Sequence, residues 1–250
     1  MPAGDTWIEA NWNAPPRIRA GTTTRIGGTS KPPFNTFNLA GHVGDSEETV
    51  VANRRRLVSL LNLPTEPCWP KQVHGNRVIH SRQLTEFPHA DGTWTNREGV
   101  VCAVLTADCL PLLLCDRKGQ LVAAVHVGWR GLSSNIVGNA FNSINVDPAN
   151  LLAWIGPYIS AEHYEIGADV RSACLKVVPD AANAFIPSRT SHWHADLGLM
   201  VRMQLTDAGV TDISESGYCT YNDPHRFYSY RRDGKTGRTA SLIWIDRHAT

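Results

Sequence analysis

The segment VVCAVLTADCLPLLLCD, at residues 100–116, most constrains the fold, because it is apolar almost throughout and still carries a charge at its centre. It falls short of the roughly 20 apolar residues of a membrane-spanning helix, and Asp108 and Pro111 interrupt it, so it predicts buried strands. A carboxylate in such surroundings is costly unless it is paired or binds something. The polar pair Asp108 and Cys109 therefore indicates a site within the core.

Helix and strand patterns alternate along most of the chain. Strand patterns occupy residues 100–116, 121–131 and 151–159, and the turn RKGQ predicts a β-hairpin between the first two. Amphipathic patterns predict four helices, the first capped by Asp45 or Ser46 and ending before Pro64, at residues 45–63, 132–144, 167–178 and 197–209. This alternation predicts a mixed α/β fold of the α+β kind, with mixed β-sheets flanked by helices. Since no repeat or linker divides the chain, we expect a single domain over residues 1–250.

Composition and charge favour a small-molecule partner. The chain has 250 residues, 42% of them hydrophobic, which is enough for a core without disulfide bonds. The formal net charge is +1 and no basic run recurs along a face, so we expect neither nucleic-acid nor membrane binding. The N-terminus lacks the pattern of a secretory signal, and the six cysteines contain no C-x-x-C pair. We therefore expect a cytoplasmic protein with reduced thiols.

Three polar side chains lie at the ends of predicted buried elements: His74 in KQVHG, Cys109 in TADC and His126 in AVHVGWRG. The predicted hairpin brings Cys109 and His126 to the same side of a sheet. Two histidines and one cysteine are a familiar ligand set for catalytic zinc, with a fourth position left open. The residue types alone leave a second interpretation open, in which both histidines are ordinary core residues and Cys109 is one more buried thiol.

The motifs of the chain also follow a recognisable order. They are TTTRIGGTS, FNTFNLAGHVGD, NRRRL, KQVHGNRV, ADG, LTADCLPLLL, AAVHVGWRGL, IGPYI, YEIG and YSYRRDGKTGR. Across nearly the whole chain, this series resembles the YfiH-type family, also called laccase-domain or peptidoglycan-editing-factor proteins. The resemblance implies a YfiH-like fold and one zinc ion bound by His74, Cys109 and His126.

The resemblance implies an activity as well. It is phosphorolysis of the purine nucleosides adenosine, inosine and methylthioadenosine to the base and the ribose 1-phosphate or methylthioribose 1-phosphate, with adenosine deamination at the same site. A second hypothesis from the family is hydrolysis of a wrongly aminoacylated UDP-muramic acid precursor of peptidoglycan. A third hypothesis is a non-enzymatic binding module, which an open metal site beside Asp108 and Arg130 disfavours.

Three residues are candidates for catalysis: Cys109, Asp108 and Arg130. Cys109 is expected to be a metal-bound thiolate, because coordination deprotonates a thiol. Asp108 is expected to be either a partner of a metal ligand or an acid/base group. Arg130 lies in the motif that carries His126 and is expected to act in the pocket.

Four further residues in the matched motifs are expected to bind substrate: Arg25, Asn38, Gln72 and Arg231. Arg25, Arg231 and Arg130 are the candidates for holding phosphate, because guanidinium groups bind it well. The turn RRDGKTGR, which begins at Arg231, is either a solvated surface loop or an anion site. It is not a P-loop by pattern, since Ser229 stands where that motif requires its first glycine.

The laccase name suggests copper and phenol oxidation, which the histidine pattern disfavours. A multicopper oxidase needs several H-x-H ligand pairs, whereas the ten histidines here form a single pair, His192 and His194. We therefore expect zinc rather than copper, and copper-dependent polyphenol oxidation is the least favoured activity. The pair itself is either an independent metal site with Asp196 or, as we expect, part of an exposed loop before a helix that Asp196 caps.

Overall fold

Strands and helices alternate along the chain, which the computed structural model describes at residues 5–81 and 88–247. The strands in these residues are Trp7–Glu9 (β1), Ile18–Thr23 (β2), Val78–His80 (β3), Gly92–Thr95 (β4), Val101–Thr106 (β5), Leu110–Asp116 (β6), Val122–Val127 (β7), Leu151–Ile155 (β8), Glu165–Gly167 (β9), Phe185–Arg189 (β10), His192–Ala195 (β11), Asp212–Glu215 (β12) and Thr239–Ile245 (β13). The α-helices are Glu47–Leu61 (α1), Trp129–Ser133 (α2), Ile136–Ile144 (α3), Ala168–Leu175 (α4), Leu197–Asp207 (α5) and Tyr230–Asp233 (α6). Within the described residues, none of these helices combines the length and the apolar character needed to cross a membrane.

Two sheets form the centre of the molecule. The larger has the strand order β12-β8-β6-β7-β4-β3 and is mixed, with β12 parallel to β8 and β3 parallel to β4. The smaller has the order β1-β2-β13-β5 and is antiparallel throughout. A third sheet, β10-β11-β9, is also antiparallel. One mixed sheet and two antiparallel sheets, with flanking helices, confirm the predicted α+β fold class.

The apolar segment at residues 100–116 contributes one strand to each central sheet. Cys102 and Val104 of β5 pack against Leu113 and Cys115 of β6 in the space between the sheets. The alternate residues of β5 pack in the cluster that contains Leu57 of α1, and those of β6 pack against α2, α3 and α5. Both faces of both strands are therefore buried, which explains the continuous apolar run. Asp108 and Cys109 lie where the chain passes from one sheet to the other, and not inside a strand.

The predicted helices form, with some differences at their ends. Ser46, and not Asp45, caps α1 by accepting a hydrogen bond from the backbone N–H of Thr49. The helix predicted at residues 132–144 is divided into α2 and α3, because Asn135 adopts a left-handed φ of 61°. Asp196 caps α5 as expected, by accepting from the backbone N–H of Leu199.

The predicted β-hairpin also forms. Strands β6 and β7 pair antiparallel, from Leu110 opposite Val127 to Cys115 opposite Val122. This register places the beginning of β6 beside the end of β7. The residues just before β6 therefore lie beside those at the end of β7. This confirms the prediction that the hairpin brings Cys109 and His126 together.

Candidate functional site

The three predicted metal ligands come together where the chain passes between the central sheets. Cys109 directly precedes β6, His126 lies on β7 opposite Pro111, and His74 lies in the loop before β3. One ligand atom from each of the three lies within 4.8 Å of the other two, and the histidine rings meet edge to face with their centroids 4.9 Å apart. Among the residues that the structure describes, this is the one group of its kind. It could hold a metal ion.

A buried carboxylate, Asp91, holds two of these ligands in place. Its Oδ1 lies 2.9 Å from Nδ1 of His126, and the backbone N–H groups of Val73, His74 and Gly75 donate to the same carboxylate at 3.2, 2.9 and 2.7 Å. Burial alone would raise the pKa of Asp91, but the hydrogen bonds from His126 and from this loop lower it below its ordinary value. A charged carboxylate can only accept, so Nδ1 of His126 donates, and Nε2 is the nitrogen that can bind a metal once it has lost its proton.

The electrostatics of the group favour a thiolate at Cys109. Burial raises the pKa of this thiol, but the charge of His126 and the hydrogen bonds from His126 and His74 outweigh burial and lower it. Burial lowers the pKa of His126, and the nearby Cys109 and Asp91 reverse that effect and raise it. The thiolate is the form in which cysteine binds metals, and one thiolate with two imidazoles is a donor set that zinc accepts. The residues therefore fit a zinc ion with one position left for substrate or water.

The backbone around the ligands is constrained. His74 and Asp108 have φ values of 58° and 87°, a region that residues with side chains rarely adopt. A Cβ atom on Gly128 would lie 3.0 Å from Sγ of Cys109 and 3.5 Å from Cδ2 of His74, so glycine leaves the space that these two ligands occupy. Strain of this kind is maintained only where the surrounding structure enforces it, and it concentrates at functional sites.

The metal-ligand group opens into a cavity of about 340 Å³, which is the size of a small-molecule pocket. Three arginines reach this cavity, and each carries its guanidinium group over an aromatic ring of the cavity wall. The pairs are Arg130 over Trp129 at 4.4 Å, Arg231 over Tyr164 at 5.1 Å and Arg238 over Tyr230 at 5.9 Å. A cationic and aromatic lining suits a ligand that carries an anion and a flat ring.

Asp108 is buried in the cavity wall, and its hydrogen bonds connect it to two loops and to helix α6. Its Oδ1 accepts from the hydroxyl of Thr220 at 2.7 Å, and its Oδ2 accepts from the backbone N–H of Arg231 at 2.7 Å. Its carbonyl oxygen accepts from the backbone N–H of Ile159 at 3.0 Å. These bonds offset the cost of burying the carboxylate. A role for Asp108 as an acid or base stays a prediction.

The structure brings some of the expected substrate-binding residues to the cavity. Arg130, Arg231 and Gln72 line it together with the metal ligands. The side-chain amide of Gln72 exchanges two hydrogen bonds with the backbone of Leu105, at 2.9 and 2.7 Å, so it fixes the end of β5. Arg130 and Arg231 are exposed at the cavity and leave their charges accessible to a ligand.

Arg25 and Asn38 lie outside this cavity lining, and their expected role in substrate binding stays a prediction. The guanidinium of Arg25 donates to the carbonyl oxygens of Asn35 and Pro224, at 2.9 and 3.1 Å. Asn38 is fully buried, exchanges hydrogen bonds with Ala40, and accepts from the backbone N–H of Arg238 at 3.0 Å. Both side chains hold loops in place, and the structure does not group them with the metal ligands.

Two residues of this site, Asp91 and His42, were not singled out from the sequence, whereas Arg238 ends the turn RRDGKTGR, for which an anion site was one of two interpretations. Asp91 belongs to the motif ADG and directly precedes β4, whose first residue pairs with Val125 of β7. That pairing places Asp91 beside His126, and a sequence pattern does not contain it. His42 and Arg238 also lie in quoted motifs, so their motifs were a signal, but only the fold shows that they face the cavity.

Comparison with known proteins supports one family for the whole chain. The family model described as multi-copper polyphenol oxidoreductase laccase matches residues 19–246. A protein of Pseudomonas aeruginosa named purine nucleoside phosphorylase is 43% identical over 242 residues, covering 96% of this chain and 99% of that protein. Purine nucleoside phosphorylase YfiH of Escherichia coli is also 43% identical over 242 residues, covering 95% of this chain and 98% of that protein.

A solved structure has the same fold. The crystal structure of a Neisseria meningitidis protein superposes with a TM-score of 0.93 at 40% sequence identity. The match covers 96% of this chain and 99% of the other. The sheets, the helices and the loops that carry the three metal ligands thus lie within a fold that is shared over nearly the whole length of both proteins.

Proposed function

The chain belongs to the laccase-domain, or YfiH-type, family, and on that premise we propose that it is a zinc-dependent purine nucleoside phosphorylase. Its proposed substrates are adenosine, inosine and methylthioadenosine, each cleaved by phosphate to the base and a sugar 1-phosphate. We also propose adenosine deamination at the same site. The observation that carries the proposal is the metal-ligand group opening into a cationic, aromatic cavity, in a chain whose 43% identical relatives are named purine nucleoside phosphorylases.

The cavity offers groups suited to each part of the reaction. In phosphorolysis an oxygen of phosphate forms a bond to C1′ of the sugar while the bond from C1′ to the base breaks, and the bonding electrons leave with the base. The arginine side chains can neutralise phosphate, and the rings of Trp129 and Tyr230 can contact a purine. Asp91 keeps His126 and the loop of His74 in a fixed orientation. A zinc ion bound there would supply a Lewis acid beside the substrate.

The family description names copper, but the described residues favour a single-metal site. They contain one group of three metal ligands, and a multicopper oxidase needs several such groups.

We propose that the protein works in the cytoplasm. All six cysteines are free thiols, which supports a reducing compartment.

The test is product analysis with metal-loaded protein that is free of contaminating nucleosidase. Adenosine is incubated with and without phosphate, and adenine, ribose 1-phosphate and inosine are separated by chromatography. We expect adenine and ribose 1-phosphate only when phosphate is present, since phosphate is the attacking group. Inosine should form without phosphate because water is then the co-substrate, and removal of the metal should abolish both reactions.

Two parallel assays distinguish the other candidate activities. One offers the aminoacylated UDP-muramic acid precursor, and the other offers a phenol with copper-loaded protein under oxygen. Release of base that does not depend on phosphate would contradict the phosphorylase proposal. Turnover of the precursor alone would transfer the assignment to the editing hydrolase, and fast phenol oxidation with several bound coppers would favour the oxidase.

A further inference from the structure

The three arginines of the cavity differ in how they are placed. Arg130 and Arg231 are exposed, whereas Arg238 is partly buried. The guanidinium of Arg231 donates to the carbonyl oxygen of Glu165 at 2.8 Å and so is directed towards the neighbouring strand β9. An exposed guanidinium gains little from binding an anion in water, because solvent screens the interaction. Arg238 is therefore the strongest candidate for holding an anion.

The guanidinium of Arg238 is fixed in orientation by its own turn. Nη1 donates to the carbonyl oxygens of Thr236 and Gly237, at 2.9 and 2.8 Å. The backbone N–H of Arg238 donates to Oδ1 of the buried Asn38 at 3.0 Å. Within residues 5–81 and 88–247, Nε and Nη2 have no protein acceptor. Two donors of a planar, preoriented group are thus left for a ligand, which is how arginine binds two oxygens of a phosphate.

The charge of Arg238 is not neutralised by an ion pair with any carboxylate in the described part of the chain. Asp108, the acid in the cavity lining, has both carboxylate oxygens bonded, one to Thr220 and the other to the backbone of Arg231. His42, which also lines the cavity, has its pKa lowered by burial and then by the positive charge of Arg238. Burial lowers the pKa of Arg238, and the nearby charges of Cys109 and Asp108 raise it but do not outweigh burial. Neither group bonds to Nε or Nη2, so an anion bound at these donors would offset the remaining cost of the partly buried cation.

We propose that Arg238, with His42 as a second donor, forms the subsite for the phosphate co-substrate. The inference rests on the proposed phosphorylase function and deepens it by naming the residue that holds the attacking anion. The Arg238 fork binds two phosphate oxygens and leaves another free to form the bond to C1′. His42 donates an N–H to the same anion, and Arg130 and Arg231 contact other parts of the ligand at the entrance of the cavity.

The test is steady-state kinetics of Arg238→Gln and Arg238→Lys, with phosphate and adenosine varied separately. Loss of one charge-assisted contact predicts that Arg238→Gln raises the KM for phosphate about tenfold or more, while the KM for adenosine changes much less. Arg238→Lys keeps the charge but loses the fork, so we expect a smaller rise. Lys235→Gln is the matched control, because this cation lies in the same turn, over the ring of Phe34 and outside the cavity lining.

Metal content and thermal unfolding of each variant are measured first, so that a folding defect is recognised. If Arg238→Gln fails to fold, the Arg238→Lys variant decides the same question through its KM for phosphate. An unchanged KM for phosphate in a folded Arg238 variant, with a raised KM in Arg130→Ala or Arg231→Ala, would overturn the inference and leave the phosphorylase function intact.

Failure of the function itself has a different signature, namely no phosphate-dependent cleavage by the wild-type protein. Calorimetric titration with inorganic phosphate, in the absence of nucleoside, then tests the subsite directly. Binding that weakens about tenfold in Arg238→Gln but not in Lys235→Gln supports an anion site at Arg238. Equal binding by wild type and Arg238→Gln overturns it.

Discussion

Within the described residues, two histidine pairs have the chemistry of metal ligands, and one of them belongs to a built site. His74 and His126 come from separate loops and strands, meet Cys109, and share the buried carboxylate of Asp91. His192 and His194 are two residues apart on β11, on the same side of a three-stranded sheet. The difference teaches that close spacing in the sequence does not make a metal site. A metal site forms where several segments bring ligands together and a further group orients a ligand ring.

The surroundings of the β11 pair explain why no third ligand joins it among residues 5–81 and 88–247. The ring nitrogens Nδ1 of His192 and His194 lie 3.0 and 3.1 Å from the carbonyl oxygens of Thr190 and Ala161. Glu165 lies opposite His194 in the register with β9, and its carboxylate accepts hydrogen bonds from Arg189 and Ser188. The bonds from Arg189, and then from Ser188, lower the pKa of Glu165 to about 2. This carboxylate is therefore already neutralised by Arg189.

The largest expected effect is removal of one ligand from the cavity group. Cys109→Ala and His126→Ala should each reduce bound zinc from about one ion per chain to a small fraction, because two remaining ligands hold zinc weakly. Elemental analysis after equilibrium dialysis measures this. Near-ultraviolet circular dichroism should show that both variants keep the native fold, since the sheets bury a large core without the metal. Full retention of zinc in both variants would show that the site lies elsewhere.

The sequence predicted the ligands better than their surroundings, for a physical reason. Cys109 and His126 interrupt or end apolar runs, which made them conspicuous in the sequence, and the family resemblance then identified them as ligands together with His74. The role of Asp91 depends on the pairing of β4 with β7, a contact between distant parts of the chain that a local pattern does not specify. The motif TTTRIGGTS led to the prediction that Arg25 binds substrate, but it did not show that the side chain donates to the carbonyl oxygens of neighbouring loops.

The same limit applies to the fold. Apolar composition predicted that residues 100–116 are buried, because both faces of both strands pack in the core. It did not predict that the segment divides between two sheets, since a continuous apolar run carries no sign of which sheet each strand joins. The positive φ of Asp108 marks that division, and a non-glycine residue gives no sequence signal for such a backbone.

An intermediate effect is expected when the group that orients the ligands is changed. Asp91→Asn keeps the size of the side chain but removes its charge and one of its two acceptor oxygens. Loss of such a partner typically weakens metal binding about 10- to 100-fold, and we expect an effect of this size in the zinc dissociation constant. Competition with a chromogenic chelator measures the constant, and cobalt substitution gives an absorption spectrum that reports ligand geometry.

The matched control is Asp116→Asn. Asp116 lies at the turn of the β6–β7 hairpin, at the opposite end from Cys109 and His126. Asp116 is also buried, and its Oδ1 accepts from the backbone N–H groups of Gln120 and Leu121. It therefore resembles Asp91 as a carboxylate that fixes a turn, but it has no contact with the metal-ligand group. A loss of zinc affinity in Asp116→Asn equal to that in Asp91→Asn would mean that Asp91 acts only through general stability.

The smallest effect is expected on β11, where the double variant His192→Ala/His194→Ala should leave zinc stoichiometry and affinity unchanged. Two histidines without a third ligand compete poorly with the cavity group, where a thiolate and two oriented imidazoles bind together. In the part of the chain that the structure describes, the side chains of His192 and His194 each bond to one backbone carbonyl, so their removal should also have little effect on thermal unfolding. The measurement is elemental analysis of wild type and variant, dialysed together against the same zinc buffer. A fall from two ions per chain to one would give β11 a site of its own and break the contrast between the two pairs. An equal content in both proteins would show that convergence, and not spacing, selects the residues that bind the metal.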